Sequence, residues 1–163
     1  MLRVDQAGEY GATRIYAGQL AVLRRNSPEG RLVARMAAQE ERHLKRFDQL
    51  VAERGVRPTA LQPLWNVAGF ALGAVTALMS EKAALACTDA VETVIDRHYG
   101  DQLTELGESD PELSADILLF QAEEVEHRDI AREAGAAEAP GYPLLTAAIR
   151  AGCKVAIELS KRI

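Results

Sequence analysis

The sequence has few of the residues that disulfide-rich, strand-rich or nucleic-acid-binding proteins need. Its 163 residues include only two cysteines, too few for a disulfide scaffold. The 19 Lys and Arg residues are outnumbered by 24 Asp and Glu residues, and no basic block is present to attract nucleic acid. No run of alternating apolar and polar residues predicts a strand. These absences predict one all-α domain over residues 1–163, with no nucleic-acid partner.

The two cysteines, Cys87 and Cys153, lie in apolar segments with helical spacing. No signal peptide is recognisable, and such thiols are then typical of a reducing compartment. We interpret both as small buried packing residues rather than as reactive thiols.

Turn signals divide the chain into helices that repeat as two hairpins. Ser27 and Asp110 are both typical N-caps and each is followed by proline, and the two prolines are 83 positions apart. Gly55 and Gly135 are placed to end the second helix of each hairpin in the left-handed conformation. We therefore predict that the chain duplicates a helical hairpin.

Two matching triplets of Glu, Glu and His are the most informative pattern in the sequence. The second triplet follows the first at a displacement of 83 or 84 positions, and the members are Glu9, Glu40 and His43, then Glu92, Glu124 and His127. A single Glu followed by an E-x-x-H motif from each hairpin is the ligand set of a two-metal carboxylate site in a four-helix bundle.

The positions of these residues along and around the helices favour a metal site. The alternatives are Glu–His pairs on the surface and core histidines with ordinary hydrogen-bond partners. All six residues fall on apolar helix stripes, and each pair of carboxylates lies about equally far from the turn that joins its helices. Burying four carboxylates without partners would cost several kcal/mol each, and the stripes offer no Arg or Lys. Two divalent cations would neutralise them. A carboxylate-rich set with one His per metal suits iron or manganese better than zinc, and we predict a di-iron centre.

The segment from Pro58 to Ser80 contains no charged residue. Its two prolines and small residues argue against a spanning helix, although its length approaches that needed to cross a bilayer. We predict an interfacial hairpin or a short amphipathic helix, with Trp65 near the lipid headgroups and Arg57 and Lys82 at its ends. The alternative is a helix that covers the bundle or forms a dimer interface.

Several stretches of the chain closely resemble the demethoxyubiquinone hydroxylase family, the di-iron monooxygenases of ubiquinone biosynthesis. The resemblance runs from Arg3 to almost the last residue. It is carried by R-V-D-Q-A-G-E-Y-G-A-T-R-I-Y-A-G-Q, Q-E-E-R-H-L-K-R-F, R-P-T-A-L-Q-P-L-W-N-V-A-G-F-A-L-G-A, A-C-T-D-A-V-E and E-E-V-E-H-R-D-I.

The resemblance implies a ferritin-like four-helix bundle with an apolar membrane-interacting insertion over residues 58–80 and an extra C-terminal helix. It implies hydroxylation of the ring of 5-demethoxyubiquinol with O₂ at a pair of iron ions. The triplet that begins with Glu9 would hold one iron and the triplet that begins with Glu92 the other, with Glu40 and Glu124 bridging.

Further residues receive roles from the same resemblance. His98 and Tyr99 match a His-Tyr pair near the site, with substrate handling, proton handling or packing as alternative roles. Asp5 is a candidate hydrogen-bond acceptor around the ligands. The family resembles enzymes reduced directly by NADH, and Arg162 matches one position of that site, although Glu158 stands where relatives carry an aromatic residue.

The expected location is the membrane surface, on the cytoplasmic face of a bacterial inner membrane or the matrix face of the mitochondrial one. A lipid-binding accessory protein of the ubiquinone pathway is an expected partner. The sequence leaves the oligomeric state open, with a homo-oligomer as one alternative. Two other functions share parts of the pattern: a soluble ferritin-like or rubrerythrin-like oxidase or peroxidase, and a non-catalytic membrane scaffold.

Overall fold

A computed structural model describes residues 1–163 as helices joined by short turns, with no strand. The prediction of an all-α chain is therefore confirmed. In chain order the elements are α1 Leu2–Val22, α2 Pro28–Glu53, α3 Gln62–Met79, α4 Glu81–Leu106, α5 Pro111–Glu133, a short 3₁₀ turn Ala136–Glu138, and α6 Tyr142–Arg162.

The predicted turns are confirmed by their hydrogen bonds. The Ser27 side chain accepts from the Gly30 amide at the start of α2, and Asp110 accepts from the Leu113 amide at 3.1 Å at the start of α5. Gly55 and Gly135, which follow the ends of α2 and α5, have φ values of +62° and +93°. This left-handed conformation costs little only in glycine, so each helix ends where the sequence predicts.

The helices pack as two antiparallel pairs with two further helices added outside. α1 packs against α2, and α4 packs against α5, so that the duplicated hairpins form the two halves. α3 lies mainly against α1, and α6 lies mainly against α4. The buried polar residues concentrate between α1, α2, α4 and α5, which places the candidate ligands at the centre of these four helices.

The apolar segment forms one continuous helix, α3, of 18 residues. The predicted hairpin is thus wrong, whereas a single amphipathic helix is present and is longer than expected. Its contact with α1 also fits the alternative of a helix that covers the bundle. Glycines bring the two helices together: a Cβ added to Gly73 would overlap the carbonyl oxygen of Ile15, and one added to Gly18 would overlap that of Phe70. The α1–α3 contact is therefore backbone against backbone.

The outer faces of α3 and α6 are apolar and exposed. The large apolar side chains exposed on these two helices are Leu64, Val67, Phe70, Val75, Leu78, Met79, Leu144, Val155 and Leu159. No helix combines the length and the apolar character needed to cross a membrane. Trp65 donates to Ser160 of α6, and Lys82, which follows the end of α3, donates to the Ala134 carbonyl. Their positions at the lipid headgroups stay predictions.

Candidate metal centre

The structure brings all six predicted ligands together. Glu9 comes from α1, Glu40 and His43 from α2, Glu92 from α4, and Glu124 and His127 from α5, and each is at most 1% exposed. They form two overlapping groups whose ligand atoms lie within 4.8 Å of one another, Glu9, Glu40, His43 and Glu124 in one and Glu40, Glu92, Glu124 and His127 in the other. The E-x-x-H spacing produces this geometry because residues three apart share a helix face.

Glu40 and Glu124 belong to both groups, as bridging carboxylates would. Nδ1 of His43 lies 3.0 Å from Glu124 and 3.4 Å from Glu9. Nδ1 of His127 lies 3.2 Å from both Glu40 and Glu124. Each imidazole therefore turns Nδ1 toward the carboxylates and leaves Nε2 on the outer side.

The protein supplies too few hydrogen-bond donors and positive charges to balance the four buried ligand carboxylates. One oxygen of Glu9, both oxygens of Glu40, and one each of Glu92 and Glu124 are buried without a hydrogen-bond donor. Buried carboxylates normally carry such partners, and no Lys or Arg forms an ion pair with any of these four. Asp89 shows the contrast, because its buried carboxylate accepts from Arg132 Nε at 2.7 Å. Divalent cations fit the donor set that the unpartnered oxygens form.

The pKa values of the metal-free site follow from burial and from repulsion between carboxylates. Burial and the nearby charge of Glu124 raise the pKa values of Glu40 and Glu92 well above the ordinary value. Burial lowers the pKa of His43, but contacts with Glu124 and Glu9 outweigh this and raise it to about 10. Burial also lowers the pKa of His127, and there the lowering prevails. Without metal, the site therefore holds protons in place of cations.

An outer ring of polar side chains holds the ligands in place. Tyr16 of α1 donates to Glu92 at 2.8 Å, and Tyr99 of α4 donates to Glu9. Nε2 of His43 lies 2.5 Å from Glu123, and Nε2 of His127 lies 3.0 Å from Gln39. Sequence reasoning assigned no role to Tyr16, Gln39 or Glu123. The signal was available, because the Tyr16 and Tyr99 positions, like those of the first ligands, differ by 83.

The remaining predicted residues fall in different places. His98 Nε2 lies 3.0 Å from the buried carboxylate of Asp5, so Asp5 accepts from His98 and not from a ligand histidine. Arg162 is exposed at the end of α6, and Glu158 pairs with Lys161 at 2.6 Å. The structure thus brings Tyr99 into contact with a candidate ligand, and His98 and Asp5 into contact with each other.

An apolar cavity of about 490 Å³ reaches the candidate centre from the side of α3 and α6. Its walls come from α1, α3, α4 and α6, and its polar lining includes Asp5, Glu9, His98 and Tyr99. Gly8, Gly11, Gly69 and Gly152 also line it, so small residues on three helices make room for a guest. The cavity has the size and the apolar character of a site for an organic molecule.

Both cysteines have the environment of packing residues. Cys87 is buried, and Cys153 is half-buried on the cavity wall. Burial raises the pKa of Cys87 to about 12 and that of Cys153 to about 11, which keeps both as thiols at neutral pH.

Comparison with known proteins agrees with this site. Residues 1–160 match the family described as "Ubiquinone biosynthesis protein COQ7". The chain is 59% identical over 162 residues to a 3-demethoxyubiquinol 3-hydroxylase of Rhodospirillum rubrum, covering 99% of this chain and 76% of that protein.

Similarity extends to eukaryotic enzymes. A human protein named NADPH-dependent 3-demethoxyubiquinone 3-hydroxylase, mitochondrial, is 52% identical over 167 residues, covering 100% of this chain and 76% of the human one. A 5-demethoxyubiquinone hydroxylase, mitochondrial, of Saccharomyces cerevisiae is 41% identical over 179 residues, covering 100% of this chain and 77% of the yeast one. With the match extending over almost its whole length, the chain belongs to the COQ7 family of ubiquinone biosynthesis proteins.

Proposed function

We propose that this protein is a di-iron monooxygenase that adds one hydroxyl group to the ring of demethoxyubiquinol, using O₂. The observation that carries the proposal is the meeting of two features: the buried set of four carboxylates and two imidazoles, and the apolar cavity that reaches Glu9 of that set. The four facing helices α1, α2, α4 and α5 support the proposal, because di-iron carboxylate sites are built from the facing helices of four-helix bundles. We infer that their arrangement is ferritin-like.

The two triplets would each hold one iron, with Glu40 and Glu124 between them. The bound pair would supply the reduction of O₂ on which hydroxylation of the ring depends. The protein's own contribution is to hold the ligands without rearrangement. Tyr16 and Tyr99 fix the terminal carboxylates of Glu92 and Glu9 by hydrogen bonds from the opposite hairpin.

The cavity would bind the quinol ring next to Glu9 and exclude water from the reaction. Its walls are mainly apolar, and His98 and Tyr99 are polar groups at the end nearest the ligands. His98 is suited to hold the ring hydroxyl groups because Asp5 orients its imidazole. Each turnover also needs two electrons. The name of the human relative includes NADPH, so we infer that a nicotinamide nucleotide is the electron donor. Arg162 remains our candidate for binding it.

The exposed apolar faces of α3 and α6 would rest on the membrane surface. The proposed substrate is a lipid quinol, which partitions into the bilayer, so the protein would meet its substrate there. These two helices also form two walls of the cavity, so docking would place the cavity beside the lipid. The membrane leaflet and the accessory protein remain predictions.

The test of the hydroxylase is a single incubation. Iron-loaded protein would receive a short-chain demethoxyubiquinol, NADH and ¹⁸O₂, and the product would be analysed by mass spectrometry. We expect one ¹⁸O atom in the ring. Glu124→Ala should lose iron and product, whereas Glu126→Ala, an exposed neighbour on α5, should keep both. Consumption of peroxide without ring oxygen would favour the ferritin-like or rubrerythrin-like alternative.

Membrane docking is tested separately by flotation with liposomes. The double variant Val67→Asp, Leu78→Asp places charges on the exposed face of α3, where the two side chains are 68% and 72% exposed. It should stop floating with the vesicles. The matched control is Leu118→Asp, Leu119→Asp, two residues of similar exposure on α5. Equal flotation of both double variants would remove α3 from the docking surface.

A further inference from the structure

The outer ring around the ligands repeats with the duplication but is not chemically symmetric. Gln39 and Glu123 each immediately precede a central glutamate, Glu40 or Glu124, and each reaches across to the histidine of the other hairpin. Their positions differ by 84, the displacement of the ligands that they accompany. Gln39 carries a neutral amide and Glu123 a carboxylate. The two halves of the site therefore have equivalent contacts, but the residue that contacts the histidine is charged in only one of them.

This difference changes what each histidine offers a metal. A carboxylate can only accept a hydrogen bond, so Nε2–H of His43 donates one to Glu123, at 2.5 Å. The acceptor carries a full negative charge, which makes the imidazole a stronger electron donor through Nδ1. His127 donates at 3.0 Å to the neutral amide oxygen of Gln39, whose effect is weaker. The partial pairing of Glu123 with Arg42, 3.5 Å away, is exposed and screened.

Two further departures from the repeat lie in the cavity lining beside Glu9, whose carboxylate contacts His43. Asp5 occupies the position equivalent to Thr88, and His98 the position equivalent to Ile15, both at a displacement of 83. Asp5 and His98 contact each other and line the cavity together with Glu9. Of the six candidate ligands, only Glu9 is part of the cavity lining. These replacements therefore lie beside the triplet of Glu9, Glu40 and His43, in which Glu9 reaches the cavity and His43 contacts Glu123.

We propose that the two metal positions are inequivalent, and that Glu123, acting through His43, makes the cavity-facing position the tighter and more electron-rich of the two. Glu123 is a positioning residue in this scheme, since it touches His43 and no metal. The inference rests on the proposed function only in requiring that two metals bind. It assigns to the cavity-facing metal the stronger donor set, next to the place where the ring would lie.

The inference is tested by metal binding without turnover. Metal-free protein would be titrated with Mn²⁺, with free Mn²⁺ followed by electron paramagnetic resonance. We expect two steps, one metal each, separated by roughly tenfold or more in dissociation constant. Glu123→Gln should weaken the first step by a similar factor, and Gln39→Glu should strengthen the second. The double exchange, Glu123→Gln with Gln39→Glu, should restore two separated steps.

Two measurements separate this effect from a loss of structure. Arg42→Gln removes the exposed partner of Glu123 but keeps the carboxylate, and it should leave both steps within about twofold of wild type. The ⁵⁷Fe(II) Mössbauer spectrum of wild-type protein should contain two distinct doublets, which Glu123→Gln should bring closer together. Gln39→Glu adds a charge without removing a contact from the cavity side, so it remains informative if Glu123→Gln folds poorly.

The outcomes distinguish the two-metal centre from the inequivalence of its two positions. Fewer than two metals bound per wild-type chain would overturn the two-metal centre itself. Two metals bound in steps of equal strength would overturn the inequivalence and leave the proposed function intact. Two unequal steps that neither Glu123→Gln nor Gln39→Glu changes would overturn the role of Glu123.

Discussion

Tyr16 of α1 donates a hydrogen bond of 2.8 Å to Glu92 of α4, and this contact joins the two halves of the duplicated bundle at a candidate ligand. Both residues are at most 1% exposed, so no water competes with the phenol for the carboxylate. Tyr99 makes the corresponding contact with Glu9 from the other half. Each hairpin thus orients one terminal ligand of the other.

Replacing Tyr16 by Phe should weaken metal binding without unfolding the protein. The variant keeps the ring but leaves one more Glu92 oxygen unpartnered, and loss of such an orienting contact costs roughly 10- to 100-fold in metal affinity. The measurement is a Mn²⁺ titration of metal-free protein. Tyr10→Phe is the matched control, because the side chain of Tyr10 has no hydrogen bond in the structure and its position is half-buried on the same helix. Equal affinities for the two variants would contradict the role of Tyr16.

The metal-free protein should lose stability as pH rises. The pKa values of Glu40 and Glu92 are raised in the folded state by burial and neighbouring carboxylates. A carboxyl group with a raised pKa gives full stability below its unfolded pKa, about 4.5, and loses it as pH rises through the folded value. His43, with a pKa raised to about 10, acts in the same direction.

Thermal melting of metal-free protein between about pH 5 and pH 8 measures this effect. We expect a falling melting temperature without metal and a much smaller slope when Mn²⁺ is added, because the cation takes over the neutralising role of the protons. A melting temperature that rises with pH in the metal-free protein would contradict the raised pKa values.

Filling the cavity should block the substrate and spare the metals. Gly11 lines the cavity, and a Cβ added there meets no atom within 4 Å. Gly11→Leu should therefore lose roughly tenfold or more in kcat/KM for the quinol. The Mn²⁺ titration should remain unchanged. Gly11→Ala, which adds one methyl group, is the control and should retain most of the activity.

The glycine contact between α1 and α3 predicts a stability effect. Gly73→Ala would drive a Cβ into the carbonyl oxygen of Ile15, and overpacking of this kind costs about 1–3 kcal/mol in free energy of unfolding. Gly152→Ala on α6 has no atom within 4 Å and should gain roughly 0.5–1 kcal/mol from helix propensity. Denaturant melts of the two variants should shift in opposite directions.

The ligands could be predicted from the sequence because their signal is periodic. A repeated spacing on apolar helix stripes determines which faces meet, and caps such as Ser27 and Asp110 determine where each helix begins. The outer ring was harder to predict, since a contact such as Tyr16 to Glu92 depends on how two distant helices rotate against each other. Comparing every core position with its partner at the repeat displacement would have found Tyr16.

The length of α3 was underestimated because two prolines and several small residues were taken to disfavour a long helix. Pro63 lies in the first turn of α3, and Pro58 precedes the helix. Amides in the first turn have no acceptor within the helix, so the missing amide hydrogen of Pro63 costs no hydrogen bond. The spacing of Gly69 and Gly73 carried the better signal. Small residues one turn apart let another backbone approach closely, which favours a packed helix over an interfacial hairpin.

The backbone contact between α1 and α3 sets how the cavity walls deform. No layer of flexible side chains lies between these helices at Gly18 and Gly73, so α3 can neither slide nor roll without a collision of main-chain atoms. The facing wall, α6, is joined to the α3 side by the Trp65–Ser160 bond and by one backbone bond from Ala60 to Ile163. Main-chain contact therefore fixes the α3 wall, and we expect the chamber to widen around a bulky guest through shifts of the side chains of α6.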